Sequence, residues 1–175
     1  MDPEVPAWLA GIHAWAEGIE FSPFGVAIAE SRYAFMIIEG AHLIGLAFAV
    51  GLLFVIDLRL LGVLLRDVPA PRVMQKLRPW VLGGFVVIFV SGGLLFWSSA
   101  GRLVLSPAFP LKLLLIALAG ANALYFELVI ARHAAMSHVQ GALPRSVQLA
   151  GLASLVLWSL VIVLGRLIPY LPSWT

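Results

Sequence analysis

Four long apolar runs, separated by short polar connections and preceded by a shorter periodic segment, set the pattern of the chain. From Ala7 to Glu20, Trp8, Leu9, Ile12, Trp15, Ala16 and Ile19 recur at helical steps opposite Glu17 and Glu20. That spacing predicts an amphipathic helix over 7–20 lying on a membrane surface, a depth that suits its tryptophans. The runs at 33–56, 79–98, 111–131 and 147–168 each have the length that about 30 Å of hydrocarbon demands, roughly 20 residues at about 1.5 Å each. The first reaches back toward Phe24 and forward through Leu58–Arg66, longer than a bilayer core, until Asp67-Val68-Pro69-Ala70-Pro71 ends it. Arg78-Pro79-Trp80 opens the second run, Ser106-Pro107-Ala108-Phe109-Pro110 the third, and Pro144 precedes the fourth, proline being favoured where a helix begins. Connections this short predict an all-α, integral membrane four-helix bundle of up-down-up-down topology. It is a single transmembrane domain over 1–175 with no soluble domain attached.

Composition changes one thing: it removes water as the solvent. Of 175 residues 62% are hydrophobic and 11% charged, and the mean hydropathy is +1.02, outside the range of soluble domains. The charges fall between apolar runs, which excludes a disordered chain and a nucleic-acid-binding surface despite a pI near 9.4. With no cysteine, disulfides, thiolate-bound metals and thiol nucleophiles are excluded. The start, Met1-Asp2-Pro3-Glu4-Val5-Pro6, is acidic where a secretory leader is basic, so no cleaved signal is expected.

Lysine and arginine set the expected orientation. Arg59, Arg66, Arg72, Lys76, Arg78, Arg132 and Arg145 flank two connections, against Arg32, Arg102, Lys112 and Arg166 at the opposite ends, seven to four. The richer side is expected to face inward, leaving both termini outside. Trp97, Trp158, Tyr33, Tyr170 and Trp174 are then read as an outer aromatic belt or the lining of a vestibule.

Small residues mark every run: Gly40, Gly45, Ala49 and Gly51; Gly83, Gly84, Gly92 and Gly93; Ala117, Gly120, Ala121 and Ala123; Ala150, Gly151, Ala153 and Ser154. They are expected to let helices approach closely. A glycine beside an inward-facing ligand also leaves room for a flat cofactor.

Ionisable groups inside the runs carry the candidate chemistry, since each costs about 3 kcal/mol or more in hydrocarbon. Glu39 and His42 share a helix face in Ile37-Ile38-Glu39-Gly40-Ala41-His42-Leu43-Ile44-Gly45. His42 lies about 22 Å along the axis from Asp57, in the outer third of the membrane. The pair can act as a haem or metal ligand with an orienting carboxylate, as a proton relay, or as hydrogen-bonding partners for a quinone. The plain alternative is that Glu39 pairs with Arg166 or Lys112 while His42 bonds a carbonyl of a neighbouring helix. His13 is expected on the same side of the membrane but shallower by a turn or more; a haem b between His42 and His13, or between His42 and Met36 or water, is one candidate, and a copper site on His13, His42 and Met36 another. One E-x-x-H motif is not a di-iron signal, because Glu127 is followed at the third position by Ile130. Asn122 is expected to bridge helices. Glu127 is expected to pair with Arg132, Lys76 or Arg78, and Asp57 to anchor the interface through a salt bridge. His133 and His138 are expected in a solvated loop. Ser91, Ser98, Ser99, Ser154 and Ser159 have no His or Lys base placed beside them by a recognisable sequence pattern, so hydrolase chemistry is not supported.

Phe21-Ser22-Pro23-Phe24-Gly25, Glu39-Gly40-Ala41-His42-Leu43-Ile44-Gly45, Asp57-Leu58-Arg59-Leu60-Leu61-Gly62, Pro107-Ala108-Phe109-Pro110-Leu111-Lys112-Leu113 and Asn122-Ala123-Leu124 together resemble an uncharacterised family of bacterial four-helix inner-membrane proteins. The resemblance covers most of Phe21–Ala131 and implies an E-x-x-H-x-x-G on the first span with no assigned activity. The family pattern has a histidine just after Asn122-Ala123 where this chain has Glu127, so no haem ligand is implied on the third span. An early-helix histidine followed by glycine is also similar to copper-resistance membrane domains and cytochrome b561-type haem proteins, at the level of fold. The expectation is a redox-associated membrane protein in which His42, and His13 with it, contacts a haem or metal while Glu39 orients His42 or carries its proton. The alternatives are a non-enzymatic accessory subunit of a respiratory or photosynthetic complex, joined to a protein partner or a second copy, and a small proton-coupled transporter.

Overall fold

A computed structural model describes residues 5–130, 143–171 and 173–174. Among them the chain is all-helical: α1 Ala7–Glu20, α2 Pro23–Glu30, α3 Arg32–Leu60, α4 Ala70–Trp97, α5 Ala100–Leu105, α6 Ala108–Tyr125, a π turn at Phe126–Ile130, α7 Arg145–Leu167 and a final 3₁₀ turn at Ile168–Tyr170. Four of the helices, α3, α4, α6 with its π turn and α7, are long and apolar enough to cross a membrane.

Local sequence sets the ends. The first run does not reach back to Phe24 as one helix, because Ser22 and Ser31 each start a new one. The Ser22 hydroxyl accepts from the Gly25 N–H and the Ser31 hydroxyl from the Ala34 N–H, both at 3.2 Å. Nor does α3 continue to Arg66. Gly62 takes a positive φ of 71°, and the Gly62 and Val63 N–H groups close back on the Arg59 and Leu58 carbonyls at 3.1 and 2.9 Å, a Schellman stop that a residue with a side chain enters at a cost. The second helix starts nine residues before the expected position, at Ala70, with Pro71 in its first turn and Pro79 inside it. Pro79, expected to open this helix, lies inside it, and Pro71, expected to end the preceding one, stands in its first turn instead.

The helices meet in antiparallel pairs. Along α3 and α4, His42 meets Gly92, Gly45 meets Val87 and Ile88, and Ala49 meets Gly84. Along α3 and α7, Leu60 and Asp57 meet Gly151, and along α6 and α7, Asn122 meets Ala150 and Lys112 meets Gly165. One apolar core gathers Ile56, Leu60, Val73, Val81, Val147 and Ala150. A second gathers Val50, Ala119, Trp158 and Val161. Trp158 is therefore not part of a vestibule or belt: it is buried, its ring 4.7 Å from that of Phe85.

At the end that holds the N-terminus, α1 and α2 fold over α4 and α5. Trp97 donates through Nε1 to the Ser22 hydroxyl at 3.0 Å, Phe24 meets Trp97 edge-on at 5.5 Å, and Trp8 meets Trp174 at 5.6 Å. Glu20 accepts from the Gly101 N–H at 2.7 Å, so α1 is tied to α5 by a charge-assisted bond as well as by its apolar face.

Candidate functional site

His42 is half-buried and faces α4. Its Nδ1 lies 3.1 Å from the Ile88 carbonyl and 3.0 Å from the Ser91 hydroxyl. A carbonyl can only accept, so the proton of a neutral ring sits on Nδ1 and is shared between these two oxygens. Ser91 directs its own hydroxyl to the Val87 carbonyl at 2.6 Å, which leaves its lone pairs for the imidazole. Nε2 remains unprotonated and has no hydrogen bond among the described residues. Gly92 provides the seat: a Cβ there would come within 3.1 Å of the ring.

The other site residues are distributed around this ring rather than gathered on it. Glu39, one turn from His42, is exposed and has no hydrogen bond or ion pair among the described residues. The ring is oriented from α4 by Ile88 and Ser91, and not by Glu39. Met36 is 57% exposed and, six residues from His42, points about 120° away around the helix. His13 lies on α1, 3.8 Å from Glu17 and beside Gly101 of α5, in a contact set that does not include His42. No group of three or more His, Asp or Glu side chains is placed to hold a metal ion among the described residues. Lys112 reaches in from α6, its ammonium 3.3 Å from where a Gly165 Cβ would lie, within electrostatic reach of His42. It forms no ion pair with Glu39, and Arg166 instead stacks over Tyr170 at 5.2 Å.

Two structural expectations hold. Asn122 donates to the Ala150 carbonyl at 3.0 Å and so bridges α6 to α7. Glu127 pairs with Arg78 at 3.1 Å. Arg132, His133 and His138 lie outside the described residues. Asp57 requires a correction: it is 2% exposed, bonded to the Ser154 hydroxyl, and paired with no cation among the described residues. Its expected neighbour Arg59 turns away and donates through Nε to the Val68 carbonyl at 2.7 Å. The sequence reading missed Ser91 as the partner of His42. No local signal marks it, because only the antiparallel register of α3 and α4 brings Ser91 level with His42.

These features define an all-helical protein with four helices able to cross a membrane and a histidine held between two of them. The chain belongs to DUF6644, a family of unknown function, which matches residues 13–171. No curated protein and no solved structure matches the chain, so the likeness to copper-resistance domains and cytochrome b561-type proteins finds no counterpart.

Proposed function

We propose that this chain is an integral protein of the bacterial inner membrane, an up-down-up-down four-helix bundle with both termini periplasmic, in which His42 ligates a haem b or a metal for electron transfer. One observation carries the reading. A ligating histidine characteristically donates its second ring N–H to a carbonyl or carboxylate, which fixes the tautomer and raises the basicity of the ligating nitrogen. His42 has that arrangement, with Nδ1 on Ile88 and Ser91 and Nε2 left as a lone pair. A histidine that only fixes helix register makes the same bond to a neighbouring carbonyl, as the plain alternative expects, and a neutral ring keeps one unprotonated nitrogen in either role, so the two are separated by whether a ligand is bound.

The donor set fits a single protein bond from Nε2. His13 and Met36 lie elsewhere, so a haem with an open or externally filled second position fits better than copper on His13, His42 and Met36. A haem held there would supply one-electron chemistry. Ile88 and Ser91 would hold the imidazole orientation, and Lys112 would offer a cation to an acidic substituent near the ring. The test is an optical spectrum of the protein purified in mild detergent, as isolated and after dithionite, with metal analysis on the same sample. A Soret band and reduced α and β bands that vanish in His42→Ala are expected. A colourless, metal-free protein that keeps its fold in the variant would remove the reading.

A second reading, an accessory subunit of a larger membrane assembly, is favoured by α6, which buries least of the four long helices and exposes Gly120, Ala121 and Ala123. Co-purification with a partner at fixed stoichiometry from gently solubilised membranes tests it.

A further inference from the structure

Asp57 is the most buried ionisable side chain among the described residues, and the redox reading makes no use of it. It lies one turn from the end of α3, where α7 comes close enough that a Cβ on Gly151 would be 3.3 Å from the Asp57 carbonyl and 3.2 Å from Leu60. The Ser154 hydroxyl donates to the carboxyl. Oδ2 is buried with no hydrogen-bond partner, so the serine bond falls to Oδ1.

The charged groups around it are engaged elsewhere or exposed. Arg59 of α3 is bonded to Val68, Arg78 of α4 to Glu127 of the π turn, and Arg145 at the start of α7 and Lys76 of α4 are exposed. Ile56 and Leu60, beside Asp57 on α3, belong with Val147 and Ala150 of α7 to one apolar core. Among the described residues an ionised carboxylate there has neither a counter-ion nor a hydrogen bond to Oδ2 that would replace its hydration, and buried groups in that position take up a proton instead.

We propose that Asp57 is a proton-binding site at the α3–α4 connection end of the helices: its carboxylate takes a proton from water onto Oδ2 and returns it to water as the pH rises. Only an O–H bond forms and breaks, so no further reactant is needed. The ligand is the proton alone. Ser154 holds the second oxygen in either state. The site is independent of any ligand at His42, about four helical turns away on the same helix.

The test uses the full chain in lipid vesicles. Dicyclohexylcarbodiimide, an apolar reagent, adds to protonated carboxyls, and peptide mass mapping locates the adduct. Labelling at Asp57 is expected at neutral pH, falling about tenfold for each pH unit once the group is titrated. The infrared spectrum is expected to show a protonated-carboxyl C=O band that disappears over the same pH range and is absent in Asp57→Asn. Labelling of the unaltered chain decides the matter even where Asp57→Asn does not fold. An unlabelled Asp57 with no Asp57-dependent band means a carboxylate that stays ionised, and overturns the proposal. So does a band that never titrates, which describes a permanently neutral structural group. Protection from labelling by sodium ions at fixed pH overturns it in favour of a metal-cation site.

Discussion

Gly45, Ala49, Gly84 and Gly92 lie where α3 meets α4, whereas Gly120, Ala121 and Ala123 are exposed on α6. The residue types are the same and their spacing is equally helical, yet a Cβ on Gly84 would come within 2.7 Å of the Ala49 Cβ while one on Gly120 would have open space around it. Small residues permit close approach and do not produce it. The α3–α4 seam closes because its small positions alternate in register with larger ones, Gly45 receiving Val87 and Ile88, and because His42 bonds across it at the same level as Gly92. On α6 the hold on α7 comes from Asn122, Lys112 and Ala119 on other faces.

The harshest way to break this comparison is Gly84→Leu. The added side chain meets Ala49 at both Cβ and Cα, the latter 3.2 Å away, so relief requires the two helices to separate. A loss of about 3 kcal/mol is expected, read as a lowered midpoint in detergent unfolding. A Gly84→Leu protein as stable as its parent would mean that α3 and α4 are not seated on each other as described. Gly92→Val is a smaller perturbation of the same seam. Its Cβ stands 3.1 Å from the imidazole of His42, so the ring must turn and its bond to Ile88 lengthens. A loss of about 1–2 kcal/mol is expected, together with a changed nitrogen resonance for Nδ1 in magnetic resonance. Loss of stability with an unmoved resonance would separate the helix packing from the histidine seat.

How far these two regions could be read from the chain follows from what each feature depends on. The four apolar runs, α1 from its three- and four-residue periodicity, an ion pair for Glu127 and a bridging role for Asn122 were legible, because length, period and the cost of a lone polar group in an apolar run are local properties. The break at Ser31 was legible in principle as an N-cap serine but was masked by apolar residues on both sides. Partner identity was not legible. Ser91 and Ile88 as the anchors of His42 follow only from the antiparallel register of two helices 46 and more residues apart in sequence. The burial of Asp57 depends likewise on where α7 docks, and its position beside Arg59 in the chain suggested an ion pair that the turn of Arg59 to Val68 forecloses.

On the α6 side the first expected effect belongs to Asn122. Asn122→Leu removes the bond to the Ala150 carbonyl, which still makes its own helical bond, so the carbonyl is not stranded. The expected loss is about 0.6 kcal/mol, the average for polar contacts between helices in lipid. A loss several times larger, matched to that of Gly84→Leu, would show that α6 depends on one polar contact as strongly as α3 and α4 depend on their small residues.

Gly120→Ala should have the smallest effect and the opposite sign. The new methyl meets no atom within 4 Å among the described residues, and alanine restricts the unfolded chain more than glycine does, so a gain of about 0.5 kcal/mol is expected in detergent. The contrast with Gly84, one residue type in two long apolar helices, is the cleanest form of the comparison. The same substitution also reads the accessory-subunit proposal, because a partner helix seated on Gly120 would meet the methyl that the isolated chain does not. Stability of the purified chain would then rise while recovery of the assembly from membranes fell. A gain in both measurements would leave the α6 face to lipid, and the small residues there would be an interface signature without an interface.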